Sequence, residues 1–506
     1  MEQRFKIYFT SDTHGHIFPV NYAANRPEAS GLLNMASQIE KDGDTLVLDG
    51  GDSLQGTPLV QYYLEHRAHW PLHPVAAAFN AMGLDYFTLG NHDFNFGYEA
   101  LEEFLGAMHG QCLCANVQDL GGRLSLKPWV VRTLASGLRV GVTGIVTDFV
   151  NVWEQPQNLE QLRVTNAFEA ARAAREALRP LCDVCVCIYH GGFEEELATG
   201  RLLSGSGENV ACRIARELDF DLLLTGHQHM AVEGVRLANA WAVQPPANAG
   251  VCLRVEGRRE GGRTRFASRF LPAGETHSAQ PYEALLALEK AVQNWLDEPI
   301  GTLQSPILPE EKLDAALHGS RVAALFNQVQ LDATGADVSC TSLGNDPVGL
   351  ASPVTMRGVT AAYLFANTLV TLEVTEEVIR RCLERCAAYF ELENGRPKVS
   401  AAFLQPKVEH YNYDFFAGLD YAFDLRRPVG RRVVRLARLD GSPLGPGPLR
   451  LCTSNYRATG TGGYEVLRDC PVLWRGSVEL PDMVARYIRD HSPVGPLENA
   501  RFQVMW

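Results

Sequence analysis

Apolar residues fall along this chain in two rhythms. Short β-rich runs read as strands buried on both faces: Lys6-Ile7-Tyr8-Phe9, Thr45-Leu46-Val47-Leu48, Tyr86-Phe87-Thr88-Leu89, Val184-Cys185-Val186-Cys187-Ile188 and Asp221-Leu222-Leu223-Leu224. Between them, three- and four-residue spacing predicts helices over Ser30 to Lys41, Val75 to Met82, Gly97 to Met108, Asn166 to Leu178 and Glu208 to Leu218. Each helix leads into a strand, so residues 1 to about 273 are expected to form an α/β domain with β-α-β layering. Gly257 to Gly262 reads as a hairpin turn near its end.

Pro281 to Leu296 repeats Leu285, Leu288, Val292 and Trp295 at helical spacing and stops at Pro299-Ile300-Gly301. It predicts a linker helix within residues 274–300. Residues 301–506 are expected to form a second domain, with helices over Glu311 to Asp332, Gly358 to Ala366 and Thr375 to Phe390 and strands over Thr368 to Val374 and Val433 to Leu439. A chain of 506 residues exceeds one ordinary core, which agrees with two or three domains.

Composition narrows the function classes. With a net charge of −13, the chain lacks the basic excess that a nucleic-acid polymer binder uses to neutralise phosphates. A small phosphorylated substrate stays open, because bound metal ions can supply positive charge. The first apolar run is already strand material and no stretch approaches a membrane span, so the expectation is a cytoplasmic protein with no membrane partner; no protein partner is predicted. The 12 cysteines, several inside apolar runs, read as buried reduced thiols.

Directly after the five apolar runs come Ser11-Asp12-Thr13-His14, Gly51-Asp52-Ser53, Gly90-Asn91-His92-Asp93, Tyr189-His190-Gly191 and Gly226-His227-Gln228-His229. Open α/β sheets place ligand sites past the carboxyl ends of their strands, so these residues are expected on one rim of one sheet. Any one segment alone reads as an ordinary turn or cap. Five in series, four with glycine beside them, point to a two-metal hydrolytic site. Asp12 and His14 offer two ligands from one loop, Asp52 suits a bridging carboxylate, Asn91 can ligate through its amide oxygen, and His190, His227 and His229 complete two sets. Two divalent ions about 3.5–4 Å apart provide a hydroxide and clamp the phosphate. Mixed nitrogen and oxygen ligands suit Mn²⁺, Zn²⁺ or Fe²⁺. His92, tethered beside Asn91, can protonate a leaving alkoxide or hold a phosphoryl oxygen.

This series resembles the metallophosphoesterase superfamily. Gly51-Asp52-Ser53-Leu54-Gln55-Gly56-Thr57-Pro58 and Leu89-Gly90-Asn91-His92-Asp93-Phe94-Asn95-Phe96-Gly97 are similar to the 5′-nucleotidase family within it. The resemblance implies an N-terminal metallophosphoesterase β-sandwich with flanking helices, a linker helix and a smaller mixed α/β C-terminal substrate-binding domain that rotates about the linker. It implies one metal on Asp12, His14, Asp52 and His229, and another on Asp52, Asn91, His190 and His227. Where 5′-nucleotidases pair the histidine matching His92 with an aspartate, this chain has Asn95. That version resembles relatives acting on 2′,3′-cyclic and 3′-nucleotides.

For the substrate, Tyr363-Leu364-Phe365-Ala366-Asn367-Thr368-Leu369 resembles the family's first base-stacking segment, without its preceding proline, and implies roles for Phe365 and Asn367. Ser454-Asn455-Tyr456-Arg457-Ala458-Thr459-Gly460-Thr461-Gly462-Gly463-Tyr464 resembles the second, with Tyr456 as the opposite wall. The stretch matching the family's arginine-ended phosphate grip, Thr341 to Gly349, holds no arginine. The aromatic stretch Tyr411 to Phe416 reads as strand core, and Gly205-Ser206-Gly207-Glu208-Asn209 as a helix cap rather than a phosphate cradle. The expectation is therefore metal-dependent hydrolysis of a small-molecule nucleotide, cyclic and 3′-nucleotides favoured. The alternatives are a 5′-nucleotidase or UDP-sugar hydrolase, a phosphoesterase-like enzyme for sulfur esters or sugar phosphates, and a non-catalytic nucleotide sensor.

Overall fold

The computed structural model describes residues 2–506 except 204–206, 364, 366, 406 and 407, and the side chains of Ala279 and Ser477. The chain divides into two compact units, residues 1–293 and 294–506.

In the first unit, in chain order, the sheet strands are β1 (Gln3–Thr10), β2 (Thr45–Asp49), β3 (Tyr86–Phe87), β4 (Gln111–Leu113), β5 (Leu126–Lys127), β6 (Trp129–Thr133), β7 (Arg139–Val146), β8 (Val184–His190), β9 (Leu222–Thr225), β10 (Val232–Leu237), β11 (Ala240–Gln244), β12 (Val251–Glu260) and β13 (Arg263–Pro272). They form two sheets, as the β-sandwich implied by the family resemblance requires, rather than the one sheet that the strand pattern alone suggests. The first runs β13-β12-β1-β2-β3-β4-β5 and the second β10-β11-β9-β8-β7-β6. The physical reason is a shared core. Ile7, Phe9, Leu46 and Leu48 from the first sheet join Val140, Val142, Val186, Ile188, Leu222 and Leu224 from the second in one buried cluster. The opposite face of the second sheet packs on Phe168, Ala171, Ile214 and Ala215 of helices Ala167–Leu178 and Ala211–Glu217. Strands covered on both faces have no polar side, hence their unbroken apolar runs.

Helix ends follow local chemistry. Pro58–His66 starts with Pro at its first turn, capped by the Thr57 side chain accepting from Val60 N. Pro74–Met82 ends on Gly83 at φ 68°, a left-handed C-cap that costs glycine no Cβ clash. The β12–β13 hairpin turns at Gly261-Gly262, so the expected turn at Gly257 to Gly262 lies mostly inside the strand. Helix Ala279–Asp297 buries Leu285, Leu288, Val292 and Leu296 on one stripe, and the boundary between the units falls within it.

The second unit holds β14 (Val338–Ser342), β15 (Thr368–Val374), β16 (Asp414–Ala417), β17 (Leu449–Ser454) and β18 (Val472–Glu479), in the order β16-β14-β17-β15-β18. Only β14 and β17 pair in parallel among these neighbours. A three-stranded sheet joins Val433–Arg438, Leu419–Asp424 and Arg501–Met505. The single helix expected over Glu311 to Asp332 is two, Lys312–His318 and Arg321–Thr334. Gly319 (φ 102°) breaks it, and Ser320 caps the second by accepting from Ala323 N. Among the described residues, no helix is long and apolar enough to cross a membrane. All 12 cysteines are free, ten of them buried.

Candidate functional site

The loops that follow β1, β2, β3, β8 and β9 meet at the shared rim of the two sheets. Their backbones are unusual. Asp12 (φ 54°), His14 (48°), Asp52 (57°), His227 (72°) and His229 (55°) all occupy the left-handed region. Each such residue costs about 1–3 kcal/mol and persists only where the surroundings hold it. Here Asp12 N donates to Gly51 O at 2.9 Å and His14 N to Asp52 O at 2.9 Å. A Cβ at Gly51 would strike the backbone of Leu89 and Gly90, so glycine is what lets these two loops touch. Asp93 then fastens them. Its carboxylate accepts from the backbone N–H groups of Asp52 (3.0 Å), Ser53 (2.8 Å), Leu54 (3.0 Å) and Gly90 (2.8 Å).

All seven sequence-predicted donors come together, in two clusters. Ligand atoms of Asp12, His14 and His229 lie within 4.8 Å of one another, as do those of Asp52, His190 and His227. Asn91 joins the second, its Oδ1 2.8 Å from His227 Nδ1 and 3.2 Å from His190 Nε2. His190 Nε2 is also 3.2 Å from Asp52 Oδ2.

The donor chemistry tests whether cations fit. His190 Nδ1 lies 2.7 Å from Gly50 O and His14 Nδ1 lies 2.8 Å from Gln55 O. A carbonyl only accepts, so both Nδ1 atoms carry hydrogens. Both Nε2 atoms therefore present lone pairs in the neutral rings. His14 Nε2 points at His229 Nε2 at 3.1 Å, and His190 Nε2 points at two acceptor oxygens. Nitrogen and oxygen atoms converging at these distances suit a shared cation that takes the place of the proton, and carbonyls behind such imidazoles are the usual support. The charges agree. Burial opposes charge on His190, yet the Asp52 and Asp12 carboxylates raise its imidazole to about 10. Burial, aided by the nearby His229 and His92, lowers His14 to about 4 against the pull of Asp52 and Asp12. Burial resists ionising Asp12, but His229 and His190 hold it down at about 2. Asp52 is likewise held well below the usual carboxylate range, against its burial, by His190 and His92. Without metal, the cluster holds a proton where a cation fits.

Asp49, at the end of β2, was not singled out by its sequence setting. It accepts from Thr10 Oγ1 at 2.7 Å and Gly51 N at 2.8 Å, and burial pushes its carboxyl up to about 8. A carboxyl raised in the folded state binds its proton more tightly there than in the unfolded chain. Its contribution is full below about pH 4 and is lost as pH rises through about 8. In the metal-free protein, Asp49→Asn is expected to reduce the fall in Tm between pH 5 and 8 by ~3–6 °C. Thermal unfolding in chelator checks this; parallel curves for the two proteins would refute it.

His92 extends from the same loop. Its backbone N–H donates to Asp52 Oδ1 at 2.7 Å and its Nδ1 lies 2.8 Å from Asn95 Oδ1. Three neighbours escaped sequence reasoning. Asn95 Nδ2 donates to Glu154 Oε2 at 2.7 Å. The Trp153 ring stacks on His227, centroids 5.3 Å apart. Glu208 Oε1 lies 3.0 Å from His227 Nε2. The helix cap expected at Gly205 to Asn209 is not found among its described residues. Helix Ala211–Glu217 has Val210 at its N-cap, and the Glu194 carboxylate accepts from Cys212 N (2.9 Å) and Arg213 N (2.7 Å) instead. Gly205 and Ser206 themselves lie outside the described residues.

In the second unit, Phe365 is half-buried, while Leu364 and Ala366 lie outside the described residues. The Phe365 ring meets Tyr411 edge-on at 6.3 Å. Tyr411 therefore leaves the strand-core role expected for its stretch, which holds for Phe415 and Phe416; Tyr413 is buried just before the strand. Tyr411 sits instead in the short turn His410–Asn412, because strand β16 begins only at Asp414. Asn367 Nδ2 donates to Tyr363 Oη at 3.2 Å. Tyr456 is 40% exposed on the short helix Asn455–Ala458, which follows β17. Beneath it Arg457 is buried and bonds Asp414 through Nε (2.9 Å) and Nη2 (2.8 Å), and Tyr411 O through Nη2 (2.9 Å). Beside the arginine-free stretch, Lys312 Nζ donates to Leu343 O at 3.2 Å, and burial lowers this amine to about 8.

Residues 5–231 match the family model for calcineurin-like phosphoesterases, and residues 299–469 match that for the 5′-nucleotidase C-terminal domain. A solved Staphylococcus aureus structure that bears a 5′-nucleotidase name, in complex with alpha-ketoglutarate, is 30% identical with a TM-score of 0.87, and 100% of each chain is covered. The 2′,3′-cyclic-nucleotide 2′-phosphodiesterase/3′-nucleotidase of Yersinia enterocolitica is 22% identical over 97% of this chain and 86% of its own length. The trifunctional nucleotide phosphoesterase protein YfkN of Bacillus subtilis is 23% identical over 97% of this chain, which spans 38% of that protein's length. The chain belongs to the calcineurin-like metallophosphoesterases that carry a 5′-nucleotidase C-terminal domain, hydrolases of nucleotide esters that use two divalent metal ions.

Proposed function

We propose that this protein hydrolyses 2′,3′-cyclic and 3′-nucleotides, with Asp12, His14, Asp52 and His229 holding one cation and Asp52, Asn91, His190 and His227 the other. The observation that carries the reading is the convergence of nitrogen and oxygen atoms within 4.8 Å in each cluster, with carbonyl-bound Nδ1 atoms behind His14 and His190. The chemistry a bound pair of divalent cations supplies is a hydroxide at neutral pH and charge for the phosphoryl oxygens. The chain's own groups do the rest. A water oxygen bonds to phosphorus and one of its protons passes to solvent. The ester P–O bond breaks with its electron pair on the departing ribose oxygen. That oxygen takes the proton held at His92 Nε2, while Nδ1 stays on Asn95.

Two features favour cyclic and 3′-nucleotides over 5′-monophosphates and UDP-sugars. Asn95 stands where an aspartate pairs the histidine in 5′-nucleotidases, and Thr341 to Gly349 lacks an arginine. The printed name of the Yersinia relative joins the same two activities. A substrate panel with Mn²⁺ tests the reading: phosphate release from 3′-AMP and turnover of 2′,3′-cyclic AMP should exceed release from 5′-AMP. The reverse order would make it a 5′-nucleotidase, and tight binding without turnover a sensor.

Phe365 and Tyr456 supply the base-stacking faces in this reading. Replacing either by Ala is expected to raise KM for 3′-AMP about 10-fold, within the roughly 1–3 kcal/mol of a stacked base. KM for p-nitrophenyl phosphate, which has no base, should stay within about twofold. Equal changes on both esters would remove the two rings from substrate binding.

A further inference from the structure

We propose that Glu154 is a positioning residue for His92, acting through Asn95, and that it restores at one remove the carboxylate that residue 95 lacks. This rests on the reading of His92 as the acid for the leaving oxygen. Glu154 is 8% exposed and fully engaged. Its Oε1 accepts from Gln155 N at 2.7 Å and Asn158 Nδ2 at 2.9 Å, and its Oε2 accepts from Asn95 Nδ2 at 2.7 Å. Asn158 Nδ2 also reaches Asn95 O at 3.0 Å, so the turn carrying Asn95 is held at its backbone too.

The consequence is a fixed polarity. An ionised carboxylate only accepts, whereas an amide donates on one side and accepts on the other. Asn95 must therefore turn its NH₂ to Glu154 and its oxygen to His92. The His92 Nδ1, 2.8 Å from that oxygen, must then carry a hydrogen. Nε2 is left as the nitrogen that exchanges a proton with substrate. Asn95 is itself exposed, and among the described residues no further side-chain bond sets which way its amide points. The carboxylate also lends charge through the amide to an imidazolium, which a lone asparagine cannot do. The same segment lays Trp153 on His227, so one short stretch after Phe149 braces two site histidines.

Glu154→Gln tests this with little change of shape. The two N–H donors keep the Gln oxygen at the Oε1 place, so its NH₂ faces Asn95. The Asn95 amide must then turn over and offer its own NH₂ to His92 Nδ1. The expected result with the Mn²⁺ enzyme is a kcat on 3′-AMP about 10-fold lower with KM within about twofold. On p-nitrophenyl phosphate, whose leaving oxygen needs no proton, kcat should stay within about twofold. Long-range ¹H–¹⁵N spectra, with His92 signals assigned through His92→Gln, should show the Nδ1–H tautomer in wild type and Nε2–H in Glu154→Gln. Asn95→Asp alone sets two carboxylates side by side and should be slow. Asn95→Asp with Glu154→Gln places one carboxylate directly on His92 and should recover 3′-AMP turnover to within about threefold of wild type. Equal losses on both esters, no loss on either, an unchanged tautomer, or no recovery in the double variant would each overturn the inference. A wild-type enzyme with both metals bound and inert towards both esters would instead overturn the phosphoesterase reading beneath it.

Discussion

Asp52→Asn is expected to lower kcat on 3′-AMP by about 10³-fold or more, a loss of about 4 kcal/mol of transition-state stabilisation. The side chain is 1% exposed and belongs to the second cluster with His190 and His227. One oxygen accepts from His92 N at 2.7 Å and the other lies 3.2 Å from His190 Nε2. Among the described residues, Asp52 is the one carboxylate whose oxygen lies within 4.8 Å of the ligand nitrogens of both His190 and His227 in this cluster. An amide of equal size keeps the packing and the His92 contact but removes the charge, and its nitrogen cannot ligate as the oxygen does. Metal analysis on the same samples should fall from two ions per chain to one or fewer. Retention of kcat within about tenfold of wild type, with two metals bound, would refute the bridging role.

Arg457→Ala is expected to destabilise the second unit by about 3–5 kcal/mol, because it strips the partner from a buried carboxylate. Both side chains of the Arg457–Asp414 pair are 2% exposed. Burial disfavours a charged guanidinium, but Asp414 more than offsets this and leaves the group always protonated. Arg457 also donates to Thr461 O at 2.8 Å and packs 4.2 Å from the Tyr464 ring. Its loss should loosen both Tyr456 and Tyr411, the residues it braces from below. Urea unfolding of the full chain should show a lower midpoint for the transition of this unit, and KM for 3′-AMP should rise alongside. An unfolding free energy within about 1 kcal/mol of wild type would show the pair to be dispensable.

Much of the metal centre was legible because its information is local. An apolar run that stops at glycine and acid marks a strand end, and a strand end marks a site. Helix Ala167–Leu178 was readable within a residue because its periodic face and its Asn166 cap lie together. What local patterns do not carry is pairing. Strand β1 pairs with β12, some 250 residues later, and β8 and β9 belong to the other sheet. A run buried on both faces reads the same in either sheet, hence the expectation of one sheet. The break at Gly319 hid inside continuous apolar spacing. Glu154 and Glu208 sit outside regular elements, and Glu154 meets Asn95 from 59 positions away. Arg457 was visible in its motif, but its partner Asp414 lies 43 residues upstream. Buried polar pairs of this kind are set by tertiary contact.

The central claim is that two cations share Asp52 at the meeting rim of the two sheets. Anomalous diffraction from crystals grown with Mn²⁺ tests it most directly. Two peaks are expected, one bounded by Asp12, His14 and His229, the other by Asn91, His190 and His227, with an Asp52 oxygen reaching both. A single peak, or two peaks of which either lies away from the Asp52 carboxylate, would contradict the account.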